Sequence, residues 1–311
     1  AKPPPSARLA TGPSGAAMPP GKVAKKPAAS KAKGLKAAAK SKVAARAKAV
    51  GGGDTNGSKY ESVDALWEQE LKGEKGRDGW YAQGESYWNG QDASIDGVLG
   101  GFAETHGPDI RESKRFLELL RRSGDLTVRA GDGSALDCGA GIGRVTAGLL
   151  RDQFGQVDLV EPNQRLLSKA VSDMEGDVRV RNFTCCPLQK MQIADEDYDV
   201  IWAQWVLLYL PDDDLVAFFE RCKRMLRSGG LICVKENVVN NGGKFMVDRE
   251  DNSISRTDEQ YKAVFERAGL RLVHQMQQTC WPSHLVPVRM YALRPMDNSS
   301  VVSSSPPAAA A

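Results

Sequence analysis

The stretch Leu136-Asp137-Cys138-Gly139-Ala140-Gly141-Ile142-Gly143-Arg144 constrains the fold more than any other. A short apolar run enters three glycines at alternate positions, and an amphipathic segment leaves them. This reads as strand, tight turn, helix. Glycine suits a turn whose backbone needs positive φ or must approach a ligand closely. The unpaired N–H groups of the following helix then face that ligand. Such a turn serves nicotinamide, flavin and S-adenosylmethionine (SAM) binders alike, so its surroundings have to discriminate.

The rhythm around the turn is strand–helix from Ser134 onward. Strands are expected at 135–138, 156–160, 178–183, 198–203, 230–235, 270–277 and 288–293, with helices at 144–152, 163–174, 212–226 and 257–268. Five strands alternating with helices predict a mostly parallel α/β sheet wound on both faces. The last two strands are joined only by 278–287, too short for a parallel crossover, so they should form an antiparallel hairpin. Seven strands ending in a hairpin outline the class I SAM-dependent methyltransferase fold and differ from a simple dinucleotide fold.

Ahead of the sheet, 60–71 has helical periodicity through Tyr60, Val63, Leu66, Trp67 and Leu71, and 72–79 reads as a charged, glycine-bearing loop. Residues 95–102 mix apolar residues with glycines and read as an ordered loop; 110–120 is amphipathic. Composition sets the ends apart. The first 57 of the 311 residues hold 12 of the 42 Lys and Arg but only one acid, Asp54, leaving 30 basic and 38 acidic residues for the rest. The small overall charge of +3 thus conceals a basic segment and an acidic body. The expected organisation is a disordered basic tail at 1–57, a methyltransferase domain at 58–296 whose first part (58–122) is a helical lid, and a Ser/Pro/Ala tail at 297–311. The basic tail suits a solvated extension, a nucleic-acid-contacting arm or a targeting segment. None of the six cysteines forms a Cys-x-x-Cys pair, so free thiols are expected and no metal. No apolar run approaches a membrane span, so no membrane partner is expected.

The candidate site residues lie at strand ends. Glu161 ends the second strand and suits either both hydroxyls of a ribose or a helix cap. The spacing Gly139-x-Gly141-x-Gly143 departs from the dinucleotide fingerprint, which favours SAM. Asp137 is expected near the cationic end of such a ligand. Arg144 would pair with its carboxylate through the guanidinium fork, or be a solvated first-turn residue. Gln204 and Trp205 end the 198–205 strand at the edge where doubly wound sheets bind ligands, although Trp205 also suits a core. Lys235-Glu236-Asn237 ends the next strand, and Asp248, Glu250 and Asp251 cluster in what reads as a loop before a helix.

Six stretches together resemble the protein alpha-N-terminal methyltransferases: Tyr87-Trp88, 95–102, 136–144, 179–189, 198–206 and 234–237. That family uses SAM to methylate the free α-amino group of proteins beginning Xaa-Pro-Lys/Arg. The resemblance runs from about Tyr87 to Arg294 and implies roles. Gly139 and Arg144, with Gly141 in the same turn, hold the methionine part of SAM; Glu161 holds the ribose, Leu188 and Gln189 flank the adenine, and Gln204 also contacts the cofactor. Val98 and Gly100 belong to a loop that closes over cofactor and substrate. Trp88 and Trp205 line the peptide channel, Asn237 holds the start of the peptide and orients the amine, and Asp248, Asp251 and Ser253 face the amine and the basic third residue. Two positions depart from the family. Tyr209 stands where histidine is common, which makes Asp251 the main candidate to accept the proton, and Leu285-Val286 replace an Ile-Tyr pair. Methylation of a small-molecule amine, or SAM-fold binding without catalysis, are the competing readings. The first leaves the paired acids and the open tryptophan channel without a purpose; the second sits poorly with the retention of Gly139, Glu161 and Asn237. A monomer working in cytoplasm and nucleus is expected.

Overall fold

In the computed structural model the described residues are 50–192, 198–240 and 242–296. Residues 1–49 of the expected basic tail and all of the expected tail at 297–311 lie outside them.

Strands β3 (Ser134–Cys138), β4 (Gln156–Glu161), β5 (Val180–Cys185), β6 (Tyr198–Gln204) and β7 (Leu226–Asn237) run parallel. Strand β11 (Val288–Pro295) lies antiparallel to β7 on one side and to β10 (Leu270–Gln277) on the other. The sheet order is β10-β11-β7-β6-β3-β4-β5, the expected mostly parallel sheet with a terminal hairpin. The pleat divides the core between two faces. Leu136, Cys138, Ile201 and Ala203 pack in one cluster, while Ala135, Val200 and Trp202 pack in the other. Burial on both faces explains why all five residues of β3 are buried. From β3 the chain winds to β4 and β5 on one side and returns to β6 and β7 on the other. This reversal opens a crevice beyond the C-terminal ends of β3 and β6, where such sheets bind ligands.

Gly139 adopts φ 72°, and an added Cβ there would lie 2.4 Å from Val206. The turn is therefore shaped against the segment that follows β6. The helix after it begins as a π turn, Thr146–Leu150, and continues as α5 (Arg151–Gln153). Strand β5 begins at Val180, two residues later than the expected start at Val178. The Val180 amide closes a turn onto the Asp177 carbonyl, leaving Val178 91% exposed.

The N-terminal part corrects three expectations. First, Gly52–Asp54, inside the stretch expected to be disordered, is strand β1, which together with β2 (Lys59–Tyr60), β8 (Phe245–Asp248) and β9 (Ser253–Ser255) forms a second sheet of order β2-β1-β8-β9. The glycines that gave this stretch its linker-like composition permit that packing: a Cβ on Gly52 would fall 2.4 Å from the Phe245 ring. Second, the helix expected from Tyr60 starts only after the Ser62 cap, as α1 (Val63–Lys72), and the expected loop at 72–79 already contains the start of α2 (Gly76–Gly90). Four glycines within α2 hid its periodicity. One of them, Gly84, sits where a Cβ would come 3.1 Å from the Asp251 carbonyl oxygen, so the helix is pressed against that segment. Third, Asp248, Glu250 and Asp251 lie on a hairpin, with Asp248 ending β8 (Phe245–Asp248) and Asp251 just before β9 (Ser253–Ser255). A third apolar cluster, including Tyr60, Leu66, Trp67, Trp80, Phe245 and Val247, binds this sheet to α1 and α2.

Two further elements approach the crevice. Residues 95–102 contain the short helix α3 (Ile95–Val98), capped by Ser94, and α4 (His106–Arg122) buries Phe116, Leu117 and Leu120. Helices α6 (Gln164–Asp173), α7 (Asp212–Met225) and α8 (Asp258–Arg267) complete the layers.

Candidate active site

A cavity of about 770 Å³ opens at the crevice, and most of the site residues expected from the sequence line it, Asp137 and Glu250 being exceptions. Its wall includes Gly139, Gly141, Arg144, Glu161, Leu188, Gln189 and Val98, together with Trp88, Trp205, Tyr209, Asn237, Asp248, Asp251 and Ser253, and also Gly100 and Gln204.

Glu161 is buried, and each of its oxygens accepts one backbone N–H: Oε2 from Gly141 at 2.9 Å and Oε1 from Asn163 at 2.8 Å. Burial raises its pKa against these two bonds. Each carboxylate oxygen retains acceptor capacity, so the residue can receive hydroxyl donors from the cavity. A Cβ on Gly141 would lie 3.9 Å from Val98, close enough for the 95–102 segment to close over the glycine turn.

Asp137 departs from expectation. Its fully buried carboxylate accepts the Thr146 amide at 3.1 Å and the Thr146 hydroxyl at 2.6 Å, and burial pushes its pKa up to about 6. It ties the end of β3 to the following helix and does not line the cavity.

Arg144 is buried beside a carboxylate that sequence reading missed. Its Nη1 donates to Asp109 Oδ2 at 2.6 Å and lies 3.2 Å from His106 Nδ1. Asp109, fully buried on α4, also receives Gln204 Nε2 at 2.9 Å and pairs with Lys235 Nζ at 2.5 Å. Lys235 Nζ further donates to the Asp109 carbonyl at 3.0 Å and to Ser113 Oγ at 2.9 Å. Burial raises the Asp109 pKa, but Lys235 and Arg144 outweigh it and hold the carboxyl below its ordinary value. Asp109 is thus shared by Arg144 and Lys235, and of these Arg144 lines the cavity. A balancing acid was the missing signal, since Arg144 and Lys235 both sit at the buried edge of the sheet.

Trp205 adopts φ 53°, a sparsely populated backbone state for a tryptophan. Its amide donates to the Lys235 carbonyl at 3.0 Å. The next two amides, of Val206 and Leu207, donate to Glu236 Oε1 at 3.0 and 2.8 Å. These bonds hold the strained turn and present the ring to the cavity. The Arg144 guanidinium carbon stands 5.4 Å from that ring's centroid, and Trp281 lies 5.9 Å away at 39°. Trp281 belongs to the β10–β11 connection, lines the cavity together with Leu285 and Val286, and donates from Nε1 to the Val286 carbonyl at 3.0 Å. It is the aromatic residue of that wall, where the sequence had suggested the loss of one.

Opposite, Tyr209 Oη donates to Asp251 Oδ2 at 2.8 Å, and the Ser253 amide donates to Oδ1 at 3.0 Å. Burial raises the Asp251 pKa, and burial together with the Asp251 charge pushes Tyr209 well above the usual phenol value. Tyr209 is therefore a donor and Asp251 the acceptor. The Trp88 ring meets Tyr209 edge-on at 6.3 Å. Glu250, grouped with these acids by sequence, does not line the cavity; its carbonyl accepts Gln83 Nε2 at 2.7 Å.

The residues fit the expected cofactor. The Arg144 guanidinium on the cavity wall suits an amino-acid carboxylate, and Glu161 suits ribose hydroxyls. The buried Trp205 Nε1 has no hydrogen-bond partner among the described residues, as befits a wall made to meet a ligand.

The family model described as AdoMet dependent proline di-methyltransferase matches residues 76–294. The chain is 41% identical over 251 residues to an Alpha N-terminal protein methyltransferase 1 of Arabidopsis thaliana, covering 78% of this chain and 90% of that protein. It is 42% identical over 215 residues to an N-terminal Xaa-Pro-Lys N-methyltransferase 1 of Danio rerio, covering 69% and 95%. Among solved structures, a SAM-dependent methyltransferase of Leishmania major matches with a TM-score of 0.72 and 38% identity, over 79% of this chain and 96% of that one.

Proposed function

The chain belongs to the AdoMet-dependent proline di-methyltransferase family, and from that premise we propose that it methylates the free α-amino group of proteins beginning Xaa-Pro-Lys/Arg. It is a SAM-dependent methyltransferase. The observation that carries the substrate reading is that one cavity is lined both by Glu161 and Arg144 and by tryptophans and the acids Asp248 and Asp251.

Arg144 would hold the cofactor's carboxylate, Glu161 its ribose, and Leu188 and Gln189 its base, with Gly139 and Gly141 allowing backbone approach. When bound, SAM supplies an electrophilic methyl carbon on its sulfonium. The amine must meet that carbon as a neutral nucleophile. An α-amino group has a pKa near ~8, so modest help suffices at neutral pH. Asp251 accepts the amine proton, directly or through water. Tyr209 donates to the same carboxylate and fixes its orientation. Asn237, at the end of β7, orients the amine. Trp205 and Trp88 wall the proline, whose ring packs well against an aromatic face. Asp248 and Asp251 attract the basic third residue, with Ser253 beside them. Orientation of amine and methyl carbon supplies much of the rate.

The six free cysteines, three of them fully buried, suit a reducing compartment, and we place the activity in cytoplasm and nucleus with the protein acting as a monomer. The test is transfer of labelled methyl from SAM to a peptide beginning Ser-Pro-Lys and to its N-acetylated copy. Labelling of the free peptide alone is expected. Equal labelling of both would mean that another group is the target.

A further inference from the structure

The hairpin between β8 and β9 reads Asp248-Arg249-Glu250-Asp251, so a cation sits among the acids that face the substrate. Free to swing, its guanidinium would neutralise Asp248 or Asp251. The structure turns it the other way. Arg249 Nε donates to Asp54 Oδ2 at 2.8 Å and Nη2 to Glu70 Oε1 at 2.7 Å, with Nη2 also meeting the Tyr60 hydroxyl. Its side chain is only 16% exposed and Asp54 is 2% exposed, so this is a buried clip. Asp54 is itself fixed, accepting the Asn56 and Ser58 amides at 3.1 and 2.8 Å and the Tyr60 hydroxyl at 2.9 Å.

All the partners of that guanidinium come from residues 52–72, ahead of residue 76 where the family match begins. The same segment is stitched to the hairpin backbone. Strand β1 pairs in parallel with β8, with Asp54 opposite Val247. The Thr55 amide donates to the Val247 carbonyl at 3.0 Å, and the Arg249 amide donates to Thr55 Oγ1 at 3.0 Å. Thr55 itself lines the substrate cavity.

We propose that residues 52–72 form a strap that sets selectivity for a basic third residue, by holding Arg249 away from the acids that read it. Arg249, Asp54 and Glu70 are positioning residues in this scheme. Two carboxylates neutralise the cation on the strap side, which leaves Asp248 and Asp251 uncompensated on the cavity side. The strap thus does by negative selection what the acids do by attraction: a neutral third residue gains nothing from it. The inference rests on the reading of Asp248 and Asp251 as the contacts to that residue.

The experiment compares peptides beginning Ser-Pro-Lys and Ser-Pro-norleucine, with SAM affinity measured by calorimetry as a control. The wild type should prefer lysine. In Asp54→Asn/Glu70→Gln the kcat/KM preference should fall about tenfold through KM for the lysine peptide, because the released cation then competes with it. SAM affinity should hold. Adding Arg249→Met should restore the preference to within about threefold, which loss of structure alone would not do. If the double variant does not fold, Glu70→Gln alone, at a half-buried position, should move the lysine peptide in the same direction by a smaller factor. Equal changes for both peptides, or no rescue by Arg249→Met, overturn the strap's role. Indifference of the wild type to the third residue overturns the acid reading as well.

Discussion

Glu236 follows the buried Lys235 in sequence, and burial pushes both groups toward their neutral forms. Glu236 Oε1 accepts two backbone amides, Oε2 has no partner among the described residues, and burial pushes its pKa up to about 8. The folded protein therefore binds a proton there that the unfolded chain releases near its ordinary pKa of 4.5. Its contribution to stability is full below that value and lost as pH rises through about 8. Glu236→Gln keeps an acceptor for Val206 and Leu207 and removes the titration. Its thermal unfolding midpoint should fall less between pH 5 and 8 than that of the wild type, and parallel curves would exclude this role. Asp109→Asn should lower stability by about 3 kcal/mol or more in denaturant melts, because two buried cations lose their partner. Asp251→Asn should cut methyl transfer severely while SAM binding, followed by calorimetry, persists; unchanged turnover would remove Asp251 from the mechanism. At this scale the sequence exposed residues at strand ends, such as Glu161, Gln204 and Asn237, because strand C-termini converge in a doubly wound sheet. Asp109 stayed hidden because its role depends on two cations distant in sequence. Asp137 shows that a carboxylate at a strand end can as well hold its own turn.

Among the elements, the glycine turn and the Trp205 turn are one mechanical unit. Gly139 has φ 72° and abuts Val206, a β-branched side chain with little room to yield. Gly139→Ala should cost about 1–3 kcal/mol and weaken SAM binding and raise the peptide KM together, since the displaced Val206 adjoins Trp205. Urea melts and two-substrate kinetics read both effects, and a change confined to SAM would separate the two turns. The parallel strands were legible because both their faces are buried and they read as apolar runs. Helix α2 was half hidden: Gly76, Gly79 and Gly84 mimic a loop, and Gly84 is there for close approach to Asp251. The β8–β9 hairpin resembles a loop in sequence because its strands are short and are stabilised by β1, a partner remote in sequence.

For the whole molecule, the sheet brings the cofactor end and the peptide end of the reaction into one cavity, and the N-terminal segment completes the second end. The sheet and its hairpin follow from local periodicity. The strap does not, because Gly52–Asp54 resembles a linker until β8 supplies its pairing partner. Methyl transfer requires the peptide amine to meet the cofactor in this cavity. The most direct measurement is a crystal structure of the protein with S-adenosylhomocysteine and a Ser-Pro-Lys peptide. The ribose should lie on Glu161, the proline against Trp205, and the amine beside Asn237 and Asp251, pointing at the sulfur. A peptide bound elsewhere, or entering with its amine away from the sulfur, would contradict this arrangement.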